Sequence, residues 1–451
     1  MHGKFEFAVR IVQELRAAGH EAYLVGGCVR DLVLQREPAD YDIATDAVPA
    51  EVLRMFPHSY GVGAQFGVVL VMDGEPGGGA PEGNACVEVA TFRSDIGYSD
   101  GRHPDHVQYT RSAQEDVQRR DFTINGLLYD PVADRVLDYV GGLADIKAGI
   151  VRTIGDAAER FREDKLRMMR AVRFAARFES AIEAQTFSSI QTQAGEITQV
   201  SRERIREELT KMLTEGRAQS AFDLLDRSGL LVQVLPEVAK MKGVEQPAQF
   251  HPEGDVFVHT LLLLRNLPQP APKTLAWGAL LHDVGKPATF RVAPDRIRFD
   301  GHVEVGVAMA REICRRLRFS NEDMDQIVAL VANHMRFADV RRMKESTLKK
   351  FLRLPRFEEH LQLHRLDCLA SHGDLGNYEF AREKLASLQP EEIRPKPLVT
   401  GNDLIAAGYR PGPRFRQILA AVEDAQLEGQ FRDKEAAMEF IAREFPAQGG
   451  V

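Results

Sequence analysis

The sequence predicts an α+β protein, in which a mixed α/β head of about 150 residues precedes a long helical body. Two runs in the head, Gly67–Met72 and Cys86–Phe92, are apolar and of strand length. In the second run Val87 and Val89 alternate with less apolar residues such as Glu88, which is typical of a half-buried strand. From about residue 151 the apolar residues recur at helical spacing instead, so the predicted structure changes from mixed α/β to helical.

The first part of the head contains a helix, a strand and a turn in that order. Apolar residues at helical spacing predict an amphipathic helix over Phe7–Leu15, and the apolar run Ala22–Val25 predicts a strand. The pair Gly26-Gly27 follows that strand and indicates a tight turn. A glycine- and proline-rich segment, Gly74–Asn84, separates the two later strands and predicts a hairpin insertion.

The body is predicted to be helical up to a proline-punctuated tail. Helical spacing covers Arg160–Phe178, Ile205–Leu213 and Ala221–Leu231, and a last helix is expected near residues 414–427. These changes in pattern divide the chain into a head (1–150), a neck (151–235), a metal-binding helical domain (236–385) and a C-terminal helical tail (386–451).

Composition excludes several classes of protein. With 44% hydrophobic and 27% charged residues the chain is expected to be globular, and no apolar run is long enough to cross a bilayer. Its four cysteines are scattered without a CxxC pair, which favours a reducing, cytoplasmic location and argues against a thiolate zinc site. The net charge of −8 gives no overall sign of nucleic-acid binding.

The glycine turn and a pair of aspartates form the strongest chemical pattern in the head. A turn such as Gly26-Gly27 allows backbone amides to approach a phosphate, and Arg30 adds positive charge nearby. Asp40 and Asp42 are two residues apart, so on a strand both carboxylates would lie on one face. Such a pair suits Mg²⁺, which is commonly held by carboxylates together with substrate phosphates.

A second pattern lies in the neck. Asp164 and Arg167 are three residues apart and would be neighbours on one helix face. A carboxylate accepts from an exocyclic amino group and a guanidinium donates to ring acceptors, so the pair could admit C and A and reject U and G. The alternative is an ordinary surface ion pair.

A third pattern is a set of histidines and aspartates in the body. His282 and Asp283 are adjacent, and imidazole with carboxylate suits divalent transition metals. A metal there could activate water to attack a phosphate ester, or could be only structural. The complete candidate ligand set is His259, His282, Asp283, His302, His334 and Asp367.

The order of these motifs resembles that of class II tRNA nucleotidyltransferases and bacterial poly(A) polymerases. The similar segments are Tyr23–Leu32, Asp40–Ala47, Arg119–Asn125, Asp138–Gly142, Glu163–Arg167 and Glu203–Leu209. The resemblance implies a polymerase-β-like head, with Asp40 and Asp42 as magnesium ligands and catalytic residues. It also implies nucleotide contacts by Gly27, Arg30, Arg120, Asp121, Asn125, Asp164, Arg167, Arg170 and Arg173, although some of the arginines could instead touch the RNA backbone.

Three further expectations follow from the resemblance. Glu88 stands near the position of a third carboxylate in related polymerases, although a polar strand residue is more often solvent-facing. The segment Thr91–Gln108 is similar to a mobile loop of the family, with His103 where many members have an arginine. The set from His259 to Asp367 resembles the ligands of HD-domain phosphohydrolases, so a second divalent metal is expected there.

The resulting prediction is an enzyme that adds C, A or both to the 3′ end of tRNA from CTP and ATP, releasing pyrophosphate. Poly(A) addition, CC-only or A-only addition, an HD-type RNA phosphohydrolase and a non-catalytic RNA-binding scaffold are the alternatives. The expected partners are ATP, CTP and the 3′ end of tRNA or another RNA, and the oligomeric state is left open. Two basic runs, Arg160–Arg177 and Arg341–Arg356, are candidate phosphate-binding strips.

Overall fold

The computed structural model describes residues 2–61, 67–73, 86–96, 106–247, 249 and 251–446. The chain forms two compact units, residues 1–236 (unit 1) and 237–451 (unit 2). The predicted insertion Gly74–Asn84 and half of the predicted mobile loop, including His103, lie outside the described residues. The four-part division of the chain stays a prediction.

Unit 1 contains the expected mixed sheet. Its described residues form seven paired strands, with both predicted later strands adjacent and antiparallel. Alternate residues of these strands, such as Val69, Val71, Val87 and Val89, are buried in one apolar core with the first helix. In the order β3-β4-β5-β2-β1-β8-β9 the strands are β1 (Ala22–Val25), β2 (Asp42–Thr45), β3 (Ser59–Tyr60), β4 (Val68–Met72), β5 (Cys86–Thr91), β8 (Leu127–Asp130) and β9 (Arg135–Asp138), and a separate ribbon pairs β6 (Arg93–Ile96) with β7 (His106–Tyr109).

The strand register places three residues of neighbouring strands side by side. Val25, the last residue of β1, pairs with Asp42, the first residue of β2. Strands β2 and β5 run parallel, and in their register Asp42 pairs with Glu88. The turn after β1 and two carboxylates therefore meet at one edge of the sheet.

The remainder of unit 1 is largely helical, with one small parallel ribbon of β10 (Ile150–Val151) and β11 (Ala181–Ile182). The predicted continuous helix over Arg160–Phe178 is wrong in one respect, since it is divided at Asp164 and Lys165. The helices are α1 (His2–Ala17), α2 (Gly27–Val33), α3 (Pro49–Met55), α4 (Ala113–Gln118), α5 (Gly142–Ala148), α6 (Ala157–Glu163), α7 (Leu166–Arg177), α8 (Ala184–Gln193), α9 (Arg202–Thr214), α10 (Ala218–Arg227) and α11 (Leu231–Val234), with short 3₁₀ helices at Thr123–Asn125 and Ala194–Gln199. A further helix, α12 (Pro236–Ala239), begins at the last residue of unit 1.

The described residues of unit 2 are largely helical and include a ribbon of β12 (Arg291–Val292) and β13 (Ile297–Arg298). The central helix α14 is buried along nearly its whole length, because its sequence is apolar on every face. A separate apolar core, which includes Leu404, Ile418 and Ile441, holds the C-terminal helices. The helices are α13 (Val256–Arg265), α14 (Lys273–Leu281), α15 (Lys286–Thr289), α16 (His302–Arg316), α17 (Asn321–Asn333), a 3₁₀ helix (His334–Arg342), α18 (Glu345–Leu352), α19 (Phe357–Ala370), α20 (Gly376–Ser387), α21 (Pro390–Ile393), α22 (Gly401–Ala406), α23 (Pro413–Leu427) and α24 (Lys434–Glu444).

None of the helices in the described ranges combines the length and the apolar character needed to span a membrane.

Candidate active and metal-binding sites

Three carboxylates gather at the edge of the head sheet. Asp42 opens β2 and pairs in register with Glu88. Asp40 does not lie on the strand, as its spacing suggested, but in a bend two residues before it. Its side chain is 77% exposed, and one carboxylate oxygen lies 3.3 Å from Nζ of Lys4. The strand therefore orients Asp42 and Glu88, whereas the bend presents Asp40 to solvent.

The electrostatics of this group fit a cation. Burial, followed by the negative charges of Glu88 and Asp40, raises the pKa of Asp42 to about 6, against the opposing effect of Arg120. When the neighbours of a carboxylate are also negatively charged, the protein disfavours its ionised form, and a bound divalent cation stabilises that form. Asp42, with Glu88 and Asp40 near it, thus has the electrostatic surroundings that suit a bound divalent cation.

The glycine turn borders this carboxylate group. Gly26 adopts a φ of 78°, and a Cβ atom there would lie 3.4 Å from Nη1 of Arg120. Glycine is therefore favoured here by the backbone conformation. Gly27 begins α2 directly after the turn.

Arg120 is held by a buried carboxylate that the sequence analysis did not single out. Asp116 is 1% exposed and accepts from Arg120 at 2.9 Å and from Arg119 at 2.7 Å and 2.9 Å. Burial raises the pKa of Asp116, but the two arginines lower it below its usual range. The spacing of three and four residues on a helix was the available signal for this pairing.

Several of the predicted nucleotide-binding residues form one hydrogen-bonded network. Arg30 is 5% exposed and donates to Asp31 at 2.8 Å and to Asn125 at 2.7 Å. Asn125 in turn donates to Asp121 at 3.1 Å, and Arg170 donates to Asp121 at 2.8 Å. Burial raises the pKa of Asp121, whereas Arg170 lowers it, and the net pKa is below the usual range. The structure thus joins Arg30, Asn125, Asp121 and Arg170 through side-chain contacts.

The predicted base-reading pair has a different geometry from the one expected. Asp164 ends α6 with an extended backbone and Arg167 lies in α7, so they are not neighbours on one continuous helix. Asp164 accepts from the amide of Leu166 at 3.0 Å and from both terminal nitrogens of Arg204, at 3.2 Å and 2.7 Å. Arg167 instead forms an ion pair with Glu163. Each member of the predicted pair is held by another partner.

Arg173 and several other members of the two basic runs are also paired within the protein. Arg173 is 6% exposed and donates to Glu208 at 2.7 Å, so it lies in a buried ion pair. In the second run, Lys350 lies 2.7 Å from Asp424. Further pairs in the two runs are Arg177 with Glu215, Arg353 with Glu423 and Arg356 with Glu322.

All four predicted histidine ligands of unit 2 present the same nitrogen to one centre. Nδ1 of His282, His302 and His334 lies 2.7–2.9 Å from a backbone carbonyl oxygen, and Nδ1 of His259 lies 2.7 Å from Glu253. The four Nε2 atoms are buried and lack a hydrogen bond of good geometry among the described residues. Because Nδ1–H donation leaves the Nε2 lone pair available, this arrangement fits metal ligation.

The six predicted ligands form two groups around Asp283. His259, His282 and Asp367 form one group, and Asp283 with His302 and His334 forms the other. Oδ2 of Asp283 lies 3.1 Å from Nε2 of His282, whereas Oδ1 lies 3.8 Å from Nε2 of His302 and 3.7 Å from Nε2 of His334. Asp283 therefore faces both groups. A cavity of about 590 Å³ opens onto Asp283, His302, His334 and Asp367.

The protonation of His259 also indicates a cation site. Burial lowers the pKa of His259, but its contacts with the carboxylates of Asp367 and Glu253 raise it to about 9. Nε2 of His259 lies 3.0 Å from Oδ1 of Asp367. The proton on His259 thus places a positive charge between two carboxylates, where a bound divalent metal would otherwise supply it.

A glycine permits the turn that carries His282 and Asp283 to pack against α16. A Cβ atom at Gly285 would lie 2.1 Å from the carbonyl oxygen of His302 and 2.7 Å from the amide nitrogen of Gly306. Only glycine fits this contact, which brings the first residue of α16 close to Asp283. Asp255 caps α13, which carries His259, by accepting from the amide of Val258 at 2.9 Å.

Comparison with known proteins agrees with this architecture. Residues 22–152 match the family described as poly A polymerase head domain, residues 181–242 the probable RNA and SrmB binding site of polymerase A, and residues 255–370 the HD domain. Over nearly its whole length the chain is 30% identical to the CCA-adding enzyme of Leuconostoc mesenteroides, across 98% of this chain and 97% of that one. The chain belongs to the CCA-adding enzyme family. The CCA-adding enzyme of Geobacillus stearothermophilus is 31% identical over 96% of this chain and 95% of its own.

Other comparisons are more local, or concern structure. The CCA-adding enzyme of Lactiplantibacillus plantarum is 45% identical, but the match spans only 47% of this chain and 49% of that relative. The crystal structure of the Bacillus stearothermophilus CCA-adding enzyme in complex with CTP covers 98% of both chains, with a TM-score of 0.75 and 28% identity. The predicted α+β class, with its mixed head and helical body, is confirmed by this match and by the family domains.

Proposed function

We propose that this chain adds C and A nucleotides to the 3′ end of tRNA without a template, using CTP and ATP and releasing pyrophosphate. The observation that carries the proposal is the gathering of Asp42, Glu88 and Asp40 beside a glycine turn and Arg120. Membership of the CCA-adding enzyme family supports the same reaction, and the CTP complex of a similar enzyme supports the substrate class. The four unpaired cysteines agree with a cytoplasmic location.

The residues around the sheet edge supply binding and orientation. Asp40 and Asp42, with Glu88, would hold Mg²⁺, which in such sites activates the attacking hydroxyl and neutralises charge on the phosphates. Arg120 lies near enough to Asp42 to lower its pKa, so its guanidinium can contact the phosphates of a nucleotide held by the same carboxylates. The 3′ hydroxyl of RNA then attacks the α-phosphate and pyrophosphate leaves.

Base selection is assigned to Asp164 and Arg167. The carboxylate of Asp164 can accept from the amino group of cytosine or adenine, while Arg167 donates to ring acceptors. Arg204 donates to both oxygens of Asp164 and so orients this carboxylate as a hydrogen-bond acceptor. An acceptor-only group disfavours uracil and guanine, whose corresponding edge also accepts.

The test is incorporation into defined RNA ends. The protein would be incubated with tRNA lacking one, two or three terminal nucleotides, with CTP and ATP supplied separately and together, and the products sequenced. Complete restoration of CCA supports the proposal, whereas long A tails, or addition of C alone or A alone, would support the alternatives. Full activity of the Asp40→Ala, Asp42→Ala double variant would contradict the assigned site.

A metal-dependent phosphoesterase activity of unit 2 is a second candidate function. It is favoured by the six ligands in two neighbouring groups, with four buried imidazole nitrogens directed toward them. Divalent metal bound there would polarise a phosphate ester and activate water. Release of phosphate, or opening of a cyclic phosphate, at an RNA end should require metal and disappear in His282→Ala. The same activity should survive loss of Asp42, since that residue belongs to the head site.

A further inference from the structure

Glu253 is a buried carboxylate that contacts one of the six candidate metal ligands of unit 2 but is not itself one of them. Its Oε1 atom lies 2.7 Å from Nδ1 of His259 and 2.9 Å from Nδ1 of His251. The side chain is 5% exposed, and its Oε2 atom is buried without a hydrogen-bond partner among the described residues. The loop that carries Glu253 is fixed by backbone bonds, including one from the amide of Gln246 to the carbonyl oxygen of Gly254 at 3.0 Å.

His259 differs from the other three histidine ligands in the acceptor of its Nδ1 proton. The others use neutral carbonyl oxygens, those of Ala279, Phe299 and Val331, at 2.9, 2.9 and 2.7 Å. A carboxylate is a stronger acceptor than a carbonyl, and it increases the basicity of the opposite ring nitrogen. Of the four imidazoles, His259 is thus the one whose donor strength depends on a charged side chain.

We propose that Glu253 is a positioning residue for the metal centre of unit 2. It holds the proton of His259 on Nδ1, directs Nε2 toward Asp367, and thereby sets the affinity of the group formed by His259, His282 and Asp367. This inference rests on the proposed metal-binding function of unit 2, and it adds a determinant of affinity outside the six ligands.

The alternative is a third metal site formed by His251, Glu253 and His259, whose ligand atoms also lie close together. A cation on Nδ1 of His259 would need the lone pair of that atom, so the ring proton would have to move to Nε2. Nε2 would then cease to be a ligand beside Asp367, and the group containing His282 would lose one member. The positioning role keeps all six ligands in use and is therefore the one proposed.

The test is metal titration of the full-length chain with Co²⁺, followed by absorption spectroscopy, with the bound metal counted by elemental analysis after dialysis. Glu253→Gln retains an oxygen acceptor but removes its charge, and it should weaken binding at the His259 group roughly 10-fold. Glu253→Ala removes the acceptor and should weaken binding up to about 100-fold. Binding at the group of Asp283, His302 and His334 should change less than about 2-fold and serves as the internal reference. Glu245→Gln is the matched control, because it makes the same chemical change at an exposed position of the same loop.

The outcomes separate this inference from the proposed function. Wild-type affinity at both groups in Glu253→Gln and Glu253→Ala would overturn the role of Glu253 while leaving the metal centre intact. A wild-type chain that binds no Co²⁺ would overturn the metal centre and the role of Glu253 together. If the Glu253 variants bind one metal ion fewer than the wild type, with unchanged affinity for the remaining ions, His251, Glu253 and His259 form a third site instead. If Glu253→Ala does not fold, ¹⁵N-histidine spectra of the Zn²⁺-loaded wild type and Glu253→Gln provide the test. The proposal requires His259 to carry its proton on Nδ1 in the wild type, and a proton on Nε2 would overturn it.

Discussion

The raised pKa of Asp42 predicts that the head is stabilised when this carboxylate is removed. Burial, followed by the charges of Glu88 and Asp40, raises the pKa from 3.8 to about 6. A carboxyl group with a higher pKa in the folded than in the unfolded chain binds its proton more tightly when folded. Folding therefore loses stability as the pH rises from about 4 to above about 6, and the penalty is complete at neutral pH.

The size of the penalty follows from the two pKa values. A rise from 3.8 to about 6 corresponds to about 3 kcal/mol of destabilisation at about pH 8, and to roughly half of that at about pH 5. Asp42→Asn should remove this cost. In a unit of 236 residues the gain at about pH 8 should raise the midpoint of thermal unfolding by roughly 6 °C.

The assay is thermal unfolding of the full chain in EDTA at about pH 8 and about pH 5. Adding Mg²⁺ should stabilise the wild type and leave Asp42→Asn unchanged, because the variant lacks a metal ligand. Asp73→Asn is the control, since Asp73 is exposed in a surface pair with Arg10 and should change stability by less than about 0.5 kcal/mol. The reasoning is refuted if Asp42→Asn is no more stable than the wild type at about pH 8, or if its gain is equal at the two pH values.

Three further predictions concern neighbouring contacts. Arg204→Gln should lower the preference for CTP over UTP about 10-fold in single-nucleotide incorporation, because Asp164 loses its two charged donors; an unchanged ratio would contradict its role. Asp116→Asn should destabilise unit 1 by about 2 kcal/mol at neutral pH, since two half-buried arginines lose their counter-charge. The lowered pKa of Asp116 means that this stabilisation is present above about pH 4 and disappears as the pH falls below its folded-state pKa, so denaturant titrations at two pH values should show the variant approaching the wild type in acid. Gly285→Ala should cost about 2–3 kcal/mol in unit 2, because the added Cβ meets a carbonyl oxygen at 2.1 Å. Gly412→Ala, which meets nothing within 4 Å, should not change the unfolding midpoint.

The sequence predicted the features that depend on local pattern. Alternation of apolar residues located both paired strands of the head, and the glycine pair located the turn at the end of β1. The position of Glu88 opposite Asp42 could not be read from alternation, because register between parallel strands is set by the whole sheet. The alternation of apolar residues predicted only that Glu88 lies on the opposite face of the strand from Val87 and Val89.

The base-reading pair shows why spacing fails at a helix boundary. A separation of three residues makes neighbours only where the helix is continuous, and the backbone of Asp164 is extended. Its carboxylate accepts from the amide of Leu166 at the start of α7, as a capping side chain does, and this interaction favours the break. Arg204, which completes the contact, lies 40 residues further along the chain. No local rule connects Asp164 to it, although both residues stand in motifs that resemble those of the family.

The basic runs illustrate the limit of counting charges. Arg160–Arg177 and Arg341–Arg356 are rich in cations in the sequence, yet Arg170, Arg173 and Lys350 each face a carboxylate from a distant segment. A phosphate that approaches such an arginine must displace or share an existing partner, so the gain is smaller than for a solvated side chain. Arg173 is the extreme case, because both it and Glu208 are buried and separating them would leave two uncompensated charges. RNA is therefore expected to use the edges of these runs, where pairs such as Arg177 with Glu215 remain about one third exposed and can exchange partners.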